Sequence, residues 1–221
     1  MTEIGKKKLK YSLWSLVYLV LTVVIVISSV SLFNNFYYES VYVSGSSMNP
    51  TLQGHVEERF GCDYGLIDKD YGAKKNIKRY QIVTTFYPGD NKETASYKIK
   101  RVLVKPGERF KVENYCLYIY DKQYDSWGQP LDMPFERNGL SDGSAESHRN
   151  YKDTTLGDNE YFVAGDNWGG SLDSFSPSVG PISFDLLVGV VTKMQGRCTV
   201  KDGKVTEKQK YADRYFLGVD Y

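Results

Sequence analysis

A mostly β fold behind one N-terminal membrane helix is what this 221-residue sequence predicts, on three observations. Tyr11 to Tyr38 contains no Asp, Glu, Lys or Arg. After it, β-branched and aromatic runs recur between Gly, Pro, Asn and Asp, and no amphipathic helical period of useful length interrupts them. The 20 glycines and 19 tyrosines lean the same way, toward turns and strands. With 41% hydrophobic and 25% charged residues, the composition excludes a disordered or collagen-like chain.

Within the uncharged segment, Leu13 to Phe33 is apolar apart from a few Ser and Thr. As a helix rising about 1.5 Å per residue it spans roughly 32 Å, which matches the hydrocarbon core of a bilayer. A cleaved secretory signal has a shorter apolar region, about 7–15 residues, ending at a small-residue site. Here Leu, Phe and Asn follow Ser29-Val30-Ser31, so the segment reads as an uncleaved anchor. Lys6, Lys7, Lys8 and Lys10 precede it and Glu39 follows, which puts the N-terminus in the cytoplasm and the remainder outside the cell membrane. The whole chain carries a net charge of +1 and the part beyond the lysines is mildly acidic, so a nucleic-acid partner is not expected.

The predicted organisation is a cytoplasmic N-terminus at 1–10, a transmembrane helix at 11–33, a linker at 34–40, an extracytoplasmic β domain at 41–195 and a charged tail or terminal hairpin at 196–221. Strands are predicted at Val41–Val43, Tyr80–Phe86, Tyr97–Val104, Arg109–Val112, Cys116–Tyr120 and Tyr161–Ala164. A polar, Gly/Ser/Asp-rich stretch suggests a small insertion at about 113–159, and Lys201-Asp202-Gly203-Lys204 suits a hairpin turn. Cys62, Cys116 and Cys198 cannot all pair and read as buried, small apolar residues.

Common catalytic motifs are absent: there is no HExxH, Walker loop, CxxC, GxSxG or Ser-x-x-Lys. His55 and His148 stand among charged or loop-forming residues and read as solvated rather than catalytic. Three segments, however, resemble in order the boxes of the type I signal peptidase family, the membrane-bound serine proteases that cut signal peptides. Gly45-Ser46-Ser47-Met48-Asn49-Pro50-Thr51-Leu52 resembles the nucleophile box. Tyr97-Lys98-Ile99-Lys100-Arg101-Val102, followed by Pro106-Gly107-Glu108, resembles the box with the lysine base. Tyr161-Phe162-Val163-Ala164-Gly165-Asp166-Asn167, with Ser171, Asp173 and Ser174, resembles the Gly-Asp-Asn box.

The resemblance implies a coiled, antiparallel β catalytic domain of the signal peptidase type, with Ser47 as nucleophile and Lys100 as base. It implies that the Ser171 hydroxyl orients the amine, that Arg101 and Asp166 form a bracing ion pair above Met48, and that no metal or other cofactor is needed. The implied partners are the membrane and precursor proteins bearing signal peptides. One anchor and Gly45 resemble Gram-positive members. Trp168 stands where the family has an arginine after Gly-Asp-Asn, and Phe175 where it has one after Asp-Ser, leaving Asp173 without an adjacent cation. These departures suggest a specialised paralogue. They also suggest an alternative, a non-catalytic assembly or chaperone-like factor for surface proteins.

Elementary chemistry accommodates the implied roles. Gly45 has no Cβ, so the backbone near Ser47 is free to converge its N–H groups on an oxyanion. Strand alternation puts Lys98, Lys100 and Val102 on one face and Tyr97, Ile99 and Arg101 on the other. A lysine acts as base only when neutral, which requires burial to depress an ordinary pKa of about 10.4 by roughly 3 units.

Overall fold

The uncharged N-terminal segment forms a single long helix, α1 (Glu3–Tyr37), in the computed structural model, which describes residues 3–137 and 149–215. Within Tyr11–Tyr37 of α1 the most apolar 18-residue stretch has a mean hydropathy of 2.7, and none of that stretch is buried by protein. A helix that is apolar all round and covered by nothing has lipid as its natural solvent. The linker predicted at 34–40 is absent, because α1 continues to Tyr37 and strand β1 (Tyr38–Tyr42) follows at once. No Gly or Pro interrupts Asn34 to Tyr37, and the Phe33 and Tyr37 rings pack one helical turn apart, 4.5 Å between centroids.

The chain divides into two compact units, residues 1–38 and 39–221. The second is built on an antiparallel sheet whose strands are β1, β2 (Cys62–Asp68), β3 (Ile82–Thr85), β4 (Lys98–Val104), β9 (Glu160–Ala164), β10 (Ile182–Ser183), β11 (Leu187–Lys201) and β12 (Lys204–Tyr215). Their order is β1-β2-β11-β3-β4-β9-β10, with β12 also on β11. Four further strands, β5 (Arg109–Glu113), β6 (Cys116–Asp121), β7 (Ser126–Trp127) and β8 (Tyr151–Thr155), make a smaller sheet in the order β7-β6-β5-β8. The insertion predicted at about 113–159 is this sheet, and it begins earlier, at Arg109, because β5 pairs with β6 and β8.

The long strand β11 organises the main sheet. Its first part pairs with β3 through Leu187↔Thr85 and Val190↔Val83, its middle pairs with β2 from Val190↔Asp68 to Cys198↔Cys62, and its end forms a hairpin with β12. Register shifts at several points in these ladders let one strand bend between partners. A domain boundary at 195/196 therefore falls inside β11. The expected hairpin is present, turning at Asp202-Gly203 with Lys201 opposite Lys204.

The core lies on both faces of this sheet, which is why the last five residues of β4 are all buried. On one side Leu103, Val104, Phe162 and Trp168 meet Phe110, Val112 and Leu117 of the small sheet. On the other, Val83, Val102 and Val163 pack with Ile182, Leu187 and Val190. Cys62 and Cys198 face each other across β2 and β11 as fully buried free thiols, whereas Cys116 is only half-buried. Burial pushes the Cys198 thiol up to about 11, so it is protonated and inert.

Candidate active site

Beyond β1, buried Val43 anchors the chain by donating its N–H to Asp63 O (2.8 Å), and the small residues then turn back. Gly45 holds φ at +94°, a left-handed conformation that costs a side chain strain. Its N–H donates to Gly54 O at 2.9 Å and is thus occupied, so the expectation that Gly45 helps hold an oxyanion is corrected. The turn closes with Asn49 N–H on Ser46 O (3.0 Å) and Leu52 N–H on Met48 O (2.9 Å). Met48 and Leu52 point into an apolar cluster with Val43, Ile82, Val191 and Met194. Met48 is therefore a plug beneath the turn. Ser47, next to it, stays half-buried.

Strand β4 brings its lysine to this turn through the register Val83↔Lys100. Lys100 Nζ donates to Ser47 Oγ at 2.8 Å, its one hydrogen-bond partner among the described residues. Lys100 is only 4% exposed. Burial drives its pKa down to about 8 against the pull of Asp173, with Arg149 adding to the depression. Lys98 lies two residues earlier, half-buried, donating to Ser96 O at 2.9 Å. A hydroxyl facing a buried amine that is readily neutral is equipped to attack a carbonyl carbon.

The loop after β9 locks the turn from the other side. Asn167 donates its N–H to Ser47 O (3.0 Å) and its Nδ2 to Ser46 O (3.1 Å). The expected ion pair is present and buried: Arg101 Nε and Nη2 donate to the two Asp166 oxygens at 2.8 and 2.6 Å, and Nη1 donates to Tyr80 O at 2.8 Å. Thr51 Oγ1 donates to Asp166 as well, tying this pair to the serine turn. A Cβ added at Gly165 would lie 2.2 Å from Ser47 O and 2.3 Å from Ser171 Oγ, so only glycine fits. Gly165→Ala is expected to destabilise the protein by about 1–3 kcal/mol, checked by thermal melting, since backbone must move to admit the methyl group.

Two other expectations meet a different outcome. The Ser171 hydroxyl is buried without a hydrogen-bond partner among the described residues and lies against Gly165, so it makes no hydrogen bond to the Lys100 amine. Its place is set by its backbone, because Ser171 O accepts from Arg149 Nη2 at 2.9 Å. Asp173 does have a cation, supplied from far along the chain: Arg149 Nη1 donates to both its oxygens, at 2.8 and 3.0 Å. Sequence reasoning missed Arg149, which sits in the polar stretch before β8 with no pattern to mark it. Trp168 and Phe175, standing where arginines were expected, enter the aromatic core with ring centroids 5.4 Å apart. Among the histidines, His55 is exposed, and His148 lies outside the described residues.

A groove of about 590 Å³ runs past Ser47 and Lys100, walled by Val41, Val43, Ser44, Thr84, Tyr97 and Ile99. Glu39, Lys92, Glu93 and Lys98 supply charge along its lining.

With this geometry in place, the relatives of the chain are informative. Residues 14–194 match the family described as Signal peptidase, peptidase S26. Signal peptidase I V of Bacillus subtilis (strain 168) is 35% identical over 158 residues, covering 68% of this chain and 81% of its own length. Signal peptidase I T of the same strain is 30% identical over 175 residues, covering 76% and 78%. A crystal structure of a signal peptidase I from Enterococcus faecalis V583 covers 53% of this chain and 97% of its own, at 24% identity and a TM-score of 0.37.

Proposed function

The chain belongs to the signal peptidase family, peptidase S26, and from that premise we propose that it cleaves signal peptides from exported precursors with Ser47 as nucleophile and Lys100 as general base. The observation that carries this reading is the 2.8 Å contact between Lys100 Nζ and Ser47 Oγ in a buried site. When the amine is neutral, the Ser47 O–H donates to its lone pair, and Oγ attacks the scissile carbonyl as the proton passes to Nζ. Collapse of the tetrahedral intermediate returns that proton to the leaving amine. Water, deprotonated by the same lysine, then attacks the acyl carbon, and the proton passes from Nζ back to Ser47 Oγ as the ester bond breaks. The Ser47 N–H has no acceptor among the described residues and is the donor available to the oxyanion.

The groove suits an extended peptide laid beside β1 and β4, with small side chains such as Ala at the first and third positions before the cut. α1 anchors the enzyme in the membrane. The lysines before its apolar part favour a cytoplasmic N-terminus and an extracytoplasmic catalytic unit. A purely binding, chaperone-like role is not favoured, because keeping a lysine buried on a serine hydroxyl costs stability that binding alone does not require.

The test is cleavage of a purified, membrane-inserted precursor by the full-length protein, with the new N-terminus sequenced. Cleavage just after the apolar region of the signal is expected, with kcat/KM falling tenfold per pH unit well below about pH 8. The sign follows from the base: Lys100 titrates near 8, only its neutral form accepts a proton, and acidification removes that form. A rate unchanged between pH 6 and pH 9 would refute a lysine base.

A further inference from the structure

We propose that Arg149 is a positioning residue for the reaction: it supplies, from outside the Gly-Asp-Asn box, the positive charge that balances buried Asp173, and it holds the 168–173 loop in place. The inference rests on the reading of Ser47 and Lys100 as the reacting pair.

Asp173 is fully buried and Arg149 is 3% exposed. Besides Arg149, the carboxylate accepts only from the N–H groups of Gly165 (2.9 Å) and Phe175 (3.3 Å) among the described residues. Those two donors are neutral, so the carboxylate's charge is balanced by the guanidinium it is paired with. The box provides none, since Trp168 and Phe175 are aromatic. Arg149 answers with all three guanidinium nitrogens: Nε donates to Trp168 O (2.6 Å), Nη1 to Asp173 and Nη2 to Ser171 O. Its guanidinium also stacks 4.8 Å from the Phe175 ring centre, which a planar cation does at little desolvation cost.

These contacts reach the reacting groups by a short path. Arg149 holds Asp173, Asp173 holds the Gly165 N–H, and Gly165 lies against the Ser47 carbonyl. Charge runs along the same path. Asp173 and Asp166 act on Lys100 to favour the ammonium, whereas Arg149 and Lys98 disfavour it. Asp166 is neutralised by its fork with Arg101, which leaves Arg149 as the counterweight to Asp173. Without it, the unbalanced carboxylate would favour the ammonium on Lys100 and leave less of the neutral base at neutral pH.

The experiment follows the titration of Lys100 itself in the full-length chain in detergent micelles. Lysine carrying a ¹³C label next to the amine is read by NMR, Lys100→Arg assigns the signal, and precursor kcat/KM is measured across the same pH range. Arg149→Gln is expected to raise the Lys100 midpoint by about one pH unit and move the acid limb of activity with it. Arg149→Lys retains the charge, so the midpoint stays within a few tenths of a unit while kcat falls through loss of the fork. Asp173→Asn shifts the midpoint down, and Arg149→Gln with Asp173→Asn brings it back toward the wild-type value. An identical midpoint in wild type, Arg149→Gln and Asp173→Asn would reduce Arg149 to a structural brace and overturn the proposal. Should Arg149→Gln not fold, an unmoved midpoint in Asp173→Asn overturns it equally. If no protein cleaves precursor yet the midpoints move as stated, the peptidase reading fails while the charge balance stands.

Discussion

Replacing Ser47 by alanine is expected to lower kcat on a membrane-inserted precursor by about 10⁴-fold or more, with KM nearly unchanged. On the proposed mechanism the substitution removes the attacking oxygen and nothing else that would bind substrate. The groove walls, the Ser47 N–H and the Asn167 clasp on the turn all involve backbone or neighbouring side chains. Ser47 is half-buried, and its hydroxyl has Lys100 as its hydrogen-bond partner, so the variant should melt close to the wild type. Product formation by the purified variant, followed by mass spectrometry alongside a thermal melt, checks both halves. Processing within tenfold of wild type would remove Ser47 from the mechanism.

Lys100→Met should be as inactive as Ser47→Ala, yet more stable than the wild type at pH 6. An ammonium in this pocket is disfavoured by burial, so the native state binds its proton only below about pH 8, whereas the unfolded chain does so near 10.5. Below pH 8 both states are protonated and the folded protein carries the full penalty, about 3 kcal/mol. Between pH 8 and 10.5 the unfolded state binds more protons, and this part of the wild-type stability rises with pH. The gain in Tm from Lys100→Met should accordingly be greatest at pH 6 and fade toward pH 10. Lys98→Ala serves as the control and should keep most activity, since Lys98 bonds to Ser96 O, makes no hydrogen bond to Ser47 or Lys100, and contributes only charge to the groove lining. A Lys100→Met variant that cleaves, or that melts lower at pH 6 than at pH 10 relative to wild type, would contradict the assignment.

Much of the fold was legible because it depends on local pattern. An uncharged run of bilayer length reads as a lipid-facing helix, and strands β3, β4, β5, β6 and β9 stand out as β-branched and aromatic runs between breakers. Strand β2, Cys62–Asp68, did not stand out, since CDYGLID lacks clean alternation and is strand only because β11 lies beside it. The linker expected at 34–40 failed for the opposite reason: nothing in Asn34 to Tyr37 stops a helix, and the Phe33 and Tyr37 rings make contact at helical spacing.

At the candidate site, the residues themselves were readable and their relations were not. Alternation along YKIKRV put Lys100 and Arg101 on opposite faces, which is compatible with the roles the resemblance implied, one side chain at Ser47 and the other at Asp166. The sequence by itself thus determined the long apolar helix and the strand-rich unit behind it, and its resemblance to the family's boxes picked out the candidate pair Ser47 and Lys100. Tertiary structure alone decided that the Gly45 N–H is consumed by Gly54, that the Ser171 hydroxyl turns toward Gly165, and that the cation for Asp173 is Arg149. The reason is physical. Hydropathy and strand period act over a few neighbouring residues, whereas satisfying a buried carboxylate or N–H depends on whichever group the folded chain carries to within about 3 Å, however distant in sequence.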